Sequence, residues 1–340
     1  MTVNSKRKEA LIALGEHLKN YTTSDINYIE LHTCINRAQA ANGWFTKESI
    51  EEAIHNWGVT LNEQDITQWS KPYNFSYQSQ KSIALILAGN IPMVGFHDVI
   101  SVWLSGHKAL LKCASKDEHL LPYMASYLED YATETAFTFV NKPLSHFDAV
   151  IATGSNNSAR YFEHYFGEYP HIIRKNRNGV AVLSGNETKE EMESLGKDIL
   201  QYFGLGCRNV SKVYLPEDYD LNTLFGGIYP FAKVIEHAKY ANNYDYNKAV
   251  YIMSENIFHD NGFFLLKQDT SFSAPIACLH YQFYKEETEI LKELQQNKES
   301  IQCIVSSLNI PGALSFGTAQ KPALWDYADG KDTLLFLSNL

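Results

Sequence analysis

Apolar residues between positions 82 and 152 fall into short continuous runs, and the segments between these runs have a helical pattern. The runs occupy residues 83–87, 109–111, 137–140 and 147–152. Short apolar runs that end in turn residues are typical of strands buried on both faces of a sheet. Their alternation with helices predicts an α/β fold with a parallel, doubly wound sheet.

The chain on either side of this region has other patterns. Residues 5–70 have the pattern of polar helices, with tryptophans that are expected to pack on the core: Trp44, Trp57 and Trp69. Residues 210–305 have a mixed α/β pattern. With 340 residues, the chain has room for about two domains.

Polar residues follow three of the predicted strands. Asn90 lies after the first strand, Lys112 ends the second, and Thr153, Gly154 and Ser155 end the fourth. In a doubly wound sheet, ligands bind beyond the carboxyl ends of the strands. The same residue types are common in turns, so the pattern alone leaves a binding edge and plain turn chemistry both open.

A cysteine lies at the boundary between two predicted elements. Thr188 and Glu191 form a capping-box pattern that begins a helix. One face of that helix is apolar: Met192, Leu195, Ile199 and Phe203. Gly204 and Gly206 are predicted to end the helix. Cys207 then has the exposed backbone and accessible sulfur that a thiolate nucleophile needs, and a small buried apolar cysteine is the alternative.

Composition narrows the classes of function. The 29 basic and 39 acidic side chains give a formal net charge of −10, whereas nucleic-acid binders usually have a basic surplus. The five cysteines are widely spaced and form no CxxC motif. Because HExxH is also missing, neither a disulfide framework nor a metal site is supported. No apolar stretch is long enough to span a membrane, so the expected location is the cytoplasm.

Five segments have distinctive motifs: GNIPMVGFHD (89–98), LSGHKA (104–109), GLGCRNVSKVY (204–214), SFGTAQ (315–320) and DYADG (326–330). Together these segments resemble the long-chain acyl-CoA reductases, which include the fatty-acid reductase subunit of bacterial luminescence systems. The resemblance covers about residues 80–340. That family is similar to the aldehyde dehydrogenase superfamily. The resemblance therefore implies an aldehyde-dehydrogenase-like fold, with a doubly wound cofactor domain and a smaller α/β catalytic domain.

The superfamily pattern can be placed on single residues of this chain. Cys207 matches the nucleophile, and Asn90 matches the asparagine whose amide helps to form the oxyanion hole. Lys112 matches the lysine that binds the adenosine ribose. Gly154 and Ser155 match the segment that approaches the cofactor pyrophosphate at a helix N-terminus. These roles suit the residues, because an oxyanion needs preorganised donors and phosphate is favoured at free helix N–H groups.

The resemblance also implies a division into domains. Residues 1–204 are expected to form the N-terminal helical segment and an NADP-binding Rossmann-like domain. Residues 205–315 are expected to form the catalytic domain. The remaining residues, 316–340, are expected to return to the site.

Two departures from the superfamily bear on the chemistry. Hydrolytic members have a glutamate base upstream of the cysteine, but this chain has no carboxylate between Glu168 and Glu187. Such a base typically contributes about 10²–10⁴-fold, so reduction of an acyl thioester is expected rather than oxidation to a free acid. NAD-preferring relatives often have a glutamate three residues after the ribose-binding lysine. This chain has Ser115 at that position, followed by Lys116. A neutral hydroxyl beside a cation predicts a preference for NADPH over NADH. Alternatively, Ser115 is the N-cap of a helix, and both roles can hold.

Two further candidates have open roles. Residues 273–276 are the nearest match to the superfamily segment that holds the nicotinamide ribose. Asp269 is the only carboxylate near them, but its position does not match the register of the superfamily segment. Arg208 either lowers the pKa of the neighbouring sulfur or pairs with a surface carboxylate.

The predicted function is an NADPH-dependent acyl-CoA reductase that forms an aldehyde through an acyl-cysteine. The acyl donor is an acyl-CoA or an acyl-carrier-protein thioester, and the resemblance suggests an acyl-activating ligase as a partner. Whether the protein forms a homo-oligomer stays open. Two other functions also stay open: a cysteine acyltransferase or thioesterase without a nicotinamide, with His97 or His107 as its base, and a non-catalytic acyl-binding subunit.

Overall fold

The structure is a computed structural model that describes residues 3–75 and 79–340. The chain forms two compact units. The first consists of Met1–Lys175 together with Ala323–Leu340, and the second is Asn176–Pro322. The resemblance to the acyl-CoA reductases implies a boundary after residue 204. The structure places residues 176–204 in the second unit, because a strand and a helix in this stretch pack with the strands of that unit.

The first unit begins with four helices: α1 (Val3–Lys19), α2 (Ile29–Ala41), α3 (Lys47–Thr60) and α4 (Glu63–Ser70). Thr46 and Asn62 cap α3 and α4, because each side chain accepts a hydrogen bond from a backbone N–H in the first turn. Trp69 is buried, and Trp44 and Trp57 pack against the same apolar core. The predicted packing of the three tryptophans is confirmed.

A parallel sheet, sheet A, follows in the first unit. Its strands are β1 (Ser82–Ile86), β2 (Lys108–Lys112), β3 (Phe137–Phe139), β4 (Ala149–Thr153) and β5 (His171–Arg174). Their order is β3-β2-β1-β4-β5, and every pairing is parallel. The predicted α/β fold with a parallel sheet is confirmed, and β5 is a strand that the sequence analysis did not identify.

Helices cover both faces of sheet A: α5 (Phe96–Ser105), α6 (Leu120–Ala132) and α7 (Asn156–Phe166). Side chains alternate across a strand, so Leu85 packs in the core that contains α5 and α6. Its neighbour Ala84 packs on the other face, against Ala159 of α7. The C-terminal helix α12 (Thr333–Ser338) packs against α5. The sheet is therefore doubly wound.

The second unit is a six-stranded sheet, sheet B, with its own helices. The strands are β6 (Asn178–Val182), β7 (Val210–Pro216), β8 (His259–Asp260), β9 (Leu265–Gln268), β10 (Cys278–Tyr284) and β11 (Ile301–Ser306). The helices are α8 (Lys189–Leu200), α9 (Leu221–Ile228), α10 (Ala238–Met253) and α11 (Glu287–Gln296). The strand order is β11-β6-β7-β10-β9-β8, and only the short β8 is antiparallel to its neighbour among the described strands.

Candidate active site

The carboxyl end of sheet A brings predicted binding residues to one edge. Ile86 at the end of β1 pairs with Lys112 of β2 on one side and with Ala152 of β4 on the other. Asn90 follows β1, and Thr153 ends β4. The chain order reverses between β1 and β4, which is the switch point where doubly wound sheets bind ligands. The residues share one edge, and their role in binding stays a prediction.

The start of α7 has the geometry of an anion site. Ser155 is its N-cap, and the hydroxyl accepts a hydrogen bond from the Ser158 backbone N–H at 3.2 Å. The helix packs closely against the preceding turn, because a Cβ added to Gly154 would lie 2.8 Å from Ser158 Cβ and 2.9 Å from Phe162 Cε2. The N–H groups in the first turn of a helix favour a phosphate. These residues fit the pyrophosphate of a dinucleotide.

The residues after β2 form a turn, where the sequence predicted the start of a helix. Ser115 and Lys116 are exposed. Helix α6 begins only at Leu120, and its N-cap is His119. Ser115 is therefore not a helix N-cap, and the alternative role proposed for it is wrong. Its hydroxyl lies three residues beyond Lys112 on an open turn.

A carboxyl group that the sequence analysis did not single out lies beneath this turn. Asp117 is 2 % exposed, and neither of its carboxyl oxygens has a hydrogen-bond partner among the described residues. A Cβ added to Gly89 would lie 3.1 Å from Asp117 Cβ, so the side chain sits under the connection that leads to Asn90. Burial raises the pKa of Asp117 to about 7, and the nearby backbone of Met93 opposes part of the rise.

Cys207 is the second residue of a tight turn between α8 and β7. The turn is closed by the Asn209 backbone N–H, which donates to the Gly206 carbonyl at 3.0 Å. The cysteine is partly exposed. The helix before it ends earlier than predicted, because Tyr202 and Phe203 have left-handed backbones with φ of 51° and 59°. Phe203 therefore does not extend the apolar face of α8.

Arg208 contacts Ala319, near the C-terminal end of the second unit. Its Nε donates to the Ala319 carbonyl at 2.5 Å. Neither of the two roles that the sequence analysis left open for Arg208 includes this contact. The Asp198 carboxylate on α8 accepts from the N–H groups of Gly317, at 2.6 Å, and Ala319, at 3.0 Å. Burial raises the pKa of Asp198 to about 6, against these two hydrogen bonds. The hydrogen bonds with Arg208 and Asp198 therefore hold residues 317–319 next to the turn that contains Cys207.

Asp269 makes its contacts within its own loop. One carboxylate oxygen pairs with Lys267 Nζ at 2.7 Å, and the other accepts from the Ser271 N–H at 2.9 Å. The Lys267 hydrogen bond is the main reason that the pKa of Asp269 falls to about 2. Its suggested role at a ribose stays a prediction.

The two candidate histidine bases are engaged with backbone groups. His107 is buried; Nδ1 accepts from the Lys81 N–H, and Nε2 pairs with the Leu337 carbonyl at 3.0 Å. His97 Nε2 pairs with the Leu324 carbonyl at 2.8 Å. Burial lowers the pKa of both imidazoles. These contacts tie the histidines to the C-terminal segment of the first unit and favour structural roles.

The stretch without a carboxylate base includes β5 and β6. Arg174 at the end of β5 is buried in an ion pair with Asp98, and its Nη2 donates to Thr333 Oγ1 at 2.9 Å. Glu187, the first carboxylate after the stretch, accepts from the Ser184 hydroxyl and from the N–H of Gly185. The Glu187 carboxylate therefore stabilises the loop in which it lies.

The described part of the chain contains neither a metal-binding cluster nor a membrane-spanning helix. In residues 3–75 and 79–340, no group of three or more His, Cys, Asp or Glu side chains is arranged to hold a metal ion. No helix within the same residues has the length and apolar character needed to cross a membrane.

Comparisons with known proteins bear on the fold. No protein-family model and no curated protein matches the chain. Aldehyde dehydrogenase 21 from Physcomitrella patens, in complex with the reaction product succinate, has a TM-score of 0.67 and 12% identity, covering 100% of this chain and 84% of that one. The P. syringae indole-3-acetaldehyde dehydrogenase AldA, in complex with NAD+ and IAA, has a TM-score of 0.67 and 12% identity, covering 91% and 73%. The Mycobacterium tuberculosis Delta-pyrroline-5-carboxylate dehydrogenase has a TM-score of 0.63 and 11% identity, covering 98% and 77%. The chain therefore has an aldehyde-dehydrogenase-like fold built from two α/β units.

Proposed function

We propose that this protein is an acyl-CoA reductase that uses NADPH to convert an acyl thioester, long-chain by the resemblance of its motifs, into an aldehyde. The observation that carries the proposal is a partly exposed cysteine held in a fixed turn, in a chain without the carboxylate that hydrolytic relatives use upstream. Glu187, the nearest carboxylate after that stretch, is bound within its own loop. Because no base activates water for its hydrolysis, an acyl-cysteine is expected to survive until it is reduced.

The cofactor is proposed to bind at the edge of sheet A. Gly154 lets α7 pack closely against the turn before it, and the N–H groups at the start of this helix favour the charge of the pyrophosphate. Lys112 is proposed to hold the adenosine ribose. Ser115 and Lys116 are exposed beyond it and suit a 2′-phosphate better than a carboxylate would. NADPH supplies the hydride when it is bound.

The covalent chemistry is proposed to take place on Cys207. Its thiolate attacks the thioester carbonyl carbon, a new C–S bond forms, and the bond to the leaving thiol breaks. CoA or the carrier protein leaves as a thiolate and takes up a proton. After hydride has reached the carbonyl carbon, the bond to Cys207 breaks, which releases the aldehyde and regenerates the thiolate. The Cys207 backbone N–H and the Asn90 amide are the proposed oxyanion donors.

The test is aldehyde formation from a long-chain acyl-CoA and NADPH. The proposal predicts one aldehyde for each NADPH oxidised, no turnover by Cys207→Ser, and near-normal turnover by Cys278→Ser. Cys278 is the matched control, since it is a buried cysteine of the same unit. Release of free acid or acyl transfer without NADPH would instead identify a thioesterase or transferase, and acyl-CoA binding with no reaction would identify a binding subunit.

A further inference from the structure

The side chain of Asn209 joins the cysteine turn to the end of α8. Its Oδ1 accepts a hydrogen bond from the Gly206 N–H at 2.8 Å. Its Nδ2 lies 2.8 Å from the carbonyl oxygen of Gln201, 3.0 Å from that of Asp198 and 3.3 Å from that of Ile199. The residue is 3 % exposed. One amide thus serves both sides of the connection that carries Cys207.

The connection needs such a support because its backbone is strained. Tyr202 and Phe203 are left-handed, which costs about 1–2 kcal/mol for each residue that has a Cβ. The last carbonyls of a helix also lack partners within the helix. Asn209 supplies a donor to the carbonyl of Gln201, which directly precedes the left-handed residues. It therefore holds the chain on both sides of the strained segment.

Both hydrogen-bonding groups of Gly206 are bound by Asn209. The Gly206 N–H donates to the Asn209 side chain, and the Gly206 carbonyl accepts from the Asn209 backbone N–H. The Gly206 carbonyl and the Cys207 N–H belong to the same planar peptide unit. Fixing the direction of that carbonyl therefore also fixes the direction of the Cys207 N–H.

We infer that the Asn209 side chain positions the nucleophile: by binding the Gly206 N–H and the carbonyls at the end of α8, it holds the turn in the conformation in which the Cys207 backbone N–H is an oxyanion donor. The inference rests on the proposed function only in taking Cys207 as the thiol that accepts an acyl group. An amide is required because it combines an acceptor for Gly206 with donors for the helix carbonyls. Aspartate has the same shape, but it cannot donate when ionised, and it places a charge against the carbonyl oxygens.

The test compares two reactions of the same sulfur. Acyl transfer from p-nitrophenyl acetate passes through an oxyanion, whereas alkylation by iodoacetamide does not. For Asn209→Ala and the isosteric Asn209→Asp, acylation of Cys207 is expected to fall by about 10²-fold, the usual effect of losing an oxyanion donor. Alkylation is expected to stay within about threefold, because the thiol itself is unchanged. The acylation-to-alkylation ratio is measured on protein whose thermal unfolding shows that it is folded.

Ser211→Ala is the matched control. Ser211 lies in the neighbouring strand β7, and its hydroxyl donates to the Phe272 carbonyl at 2.6 Å, so this hydrogen bond is made to a loop other than the cysteine turn. This variant is expected to keep the wild-type ratio. A ratio that is unchanged in both Asn209 variants, or acylation and alkylation that fall together, overturns the inference.

The same experiment separates this inference from the proposed function. A wild-type protein that accepts acetyl from the ester but does not reduce acyl-CoA with NADPH contradicts the proposed function, and the Asn209 comparison still decides the inference. A wild-type Cys207 that is alkylated but never acylated overturns both.

Discussion

The Asp117 side chain gives the edge of sheet A a residue whose charge depends on pH. Its carboxyl is buried without a hydrogen-bond partner among the described residues, and its pKa is raised from 3.8 to about 7. The folded state therefore binds this proton more tightly than the unfolded state does. The stability that this provides is complete below about pH 4 and is lost as the pH rises to about 7.

Asp117→Asn removes this pH dependence. The unfolding midpoint of the variant is expected to rise relative to wild type between about pH 4 and 7, and the difference is expected to be constant above that. The expected size is on the order of 10 °C, since a pKa raised from 3.8 to about 7 is worth about 4 kcal/mol and about 1 kcal/mol shifts the midpoint of such a domain by about 2–4 °C. Thermal unfolding followed at several pH values measures it. Asp130→Asn, at an exposed site on α6, is the control; equal differences at every pH would contradict the account.

Ser115 is the residue on which the proposed cofactor preference depends. Ser115→Glu places a carboxylate where the 2′-phosphate of NADPH is proposed to bind. Repulsion between close charges is worth about 1–4 kcal/mol near a protein surface. The ratio of kcat/KM for NADPH to kcat/KM for NADH is therefore expected to fall by at least about tenfold. Ser115→Gln, of the same length but neutral, should change the ratio much less. A strong wild-type preference for NADH would be evidence against the assignment.

Sequence suggests single candidate residues when their chemistry depends on chain neighbours. Cys207 directly after Gly206 and Ser155 before a helix are of this kind, and Ser155 is the N-cap of α7. Residues that act through distant partners are missed. Asp198 binds the backbone of Gly317 and Ala319, more than one hundred positions away. A helical pattern gives no sign of that contact.

At the scale of elements, local signals predict starts better than ends. The capping box places the start of α8 correctly, because Thr188 and Glu191 satisfy each other's backbone N–H groups. Its end is missed, because the apolar spacing continues to Phe203 while the backbone becomes left-handed. Strand β5 was missed because only Ile172 and Ile173 are apolar within it. Its burial comes from pairing with β4.

Strand β7 contains a buried lysine that supports the loop after β9. Lys212 is 0 % exposed, and its Nζ donates to the Thr270 carbonyl at 2.8 Å and to Gln282 Oε1 at 2.9 Å. It also pairs with Glu293 at 3.4 Å. The loop that contains Asp269 is therefore attached to the middle of sheet B.

Lys212→Met is expected to destabilise the second unit by about 2 kcal/mol. The methionine fills most of the volume, but Thr270 and Glu293 lose their buried donor. Chemical denaturation measures the change. Lys285→Met is the control, because its ion pair with Glu217 lies on the surface, and its unfolding midpoint should stay at the wild-type value. Equal midpoints for the two variants would show that the Lys212 network does not stabilise the fold.

At the scale of the molecule, the alternation of strands and helices was enough to predict the class of fold. It was not enough to divide the chain. Strand β6 belongs to sheet B because it pairs with β7 and β11, and both lie later in the chain. The segment Ala323–Leu340 belongs to the first unit through similarly remote contacts. Such pairings leave no local pattern, so the boundary after residue 204 could not have been corrected from the sequence.

NADPH is expected to protect the first unit selectively. A ligand that binds the native state stabilises it by mass action. Hydrogen exchange should slow most at the start of α7, around Ser155, and after β1, around Asn90. Ser155→Asp keeps an N-cap but places a negative charge at the proposed pyrophosphate site, so it should remove the protection. Protection that persists in this variant, or that is confined to sheet B, would contradict the proposed cofactor site.

The most direct test of the proposed function is the intact mass of the protein after incubation with a long-chain acyl-CoA, with and without NADPH. The proposed function predicts an acyl adduct that maps to Cys207, is missing in Cys207→Ser, and disappears on addition of NADPH as aldehyde forms. An adduct that persists in the presence of NADPH, or no adduct on wild-type protein, would contradict it.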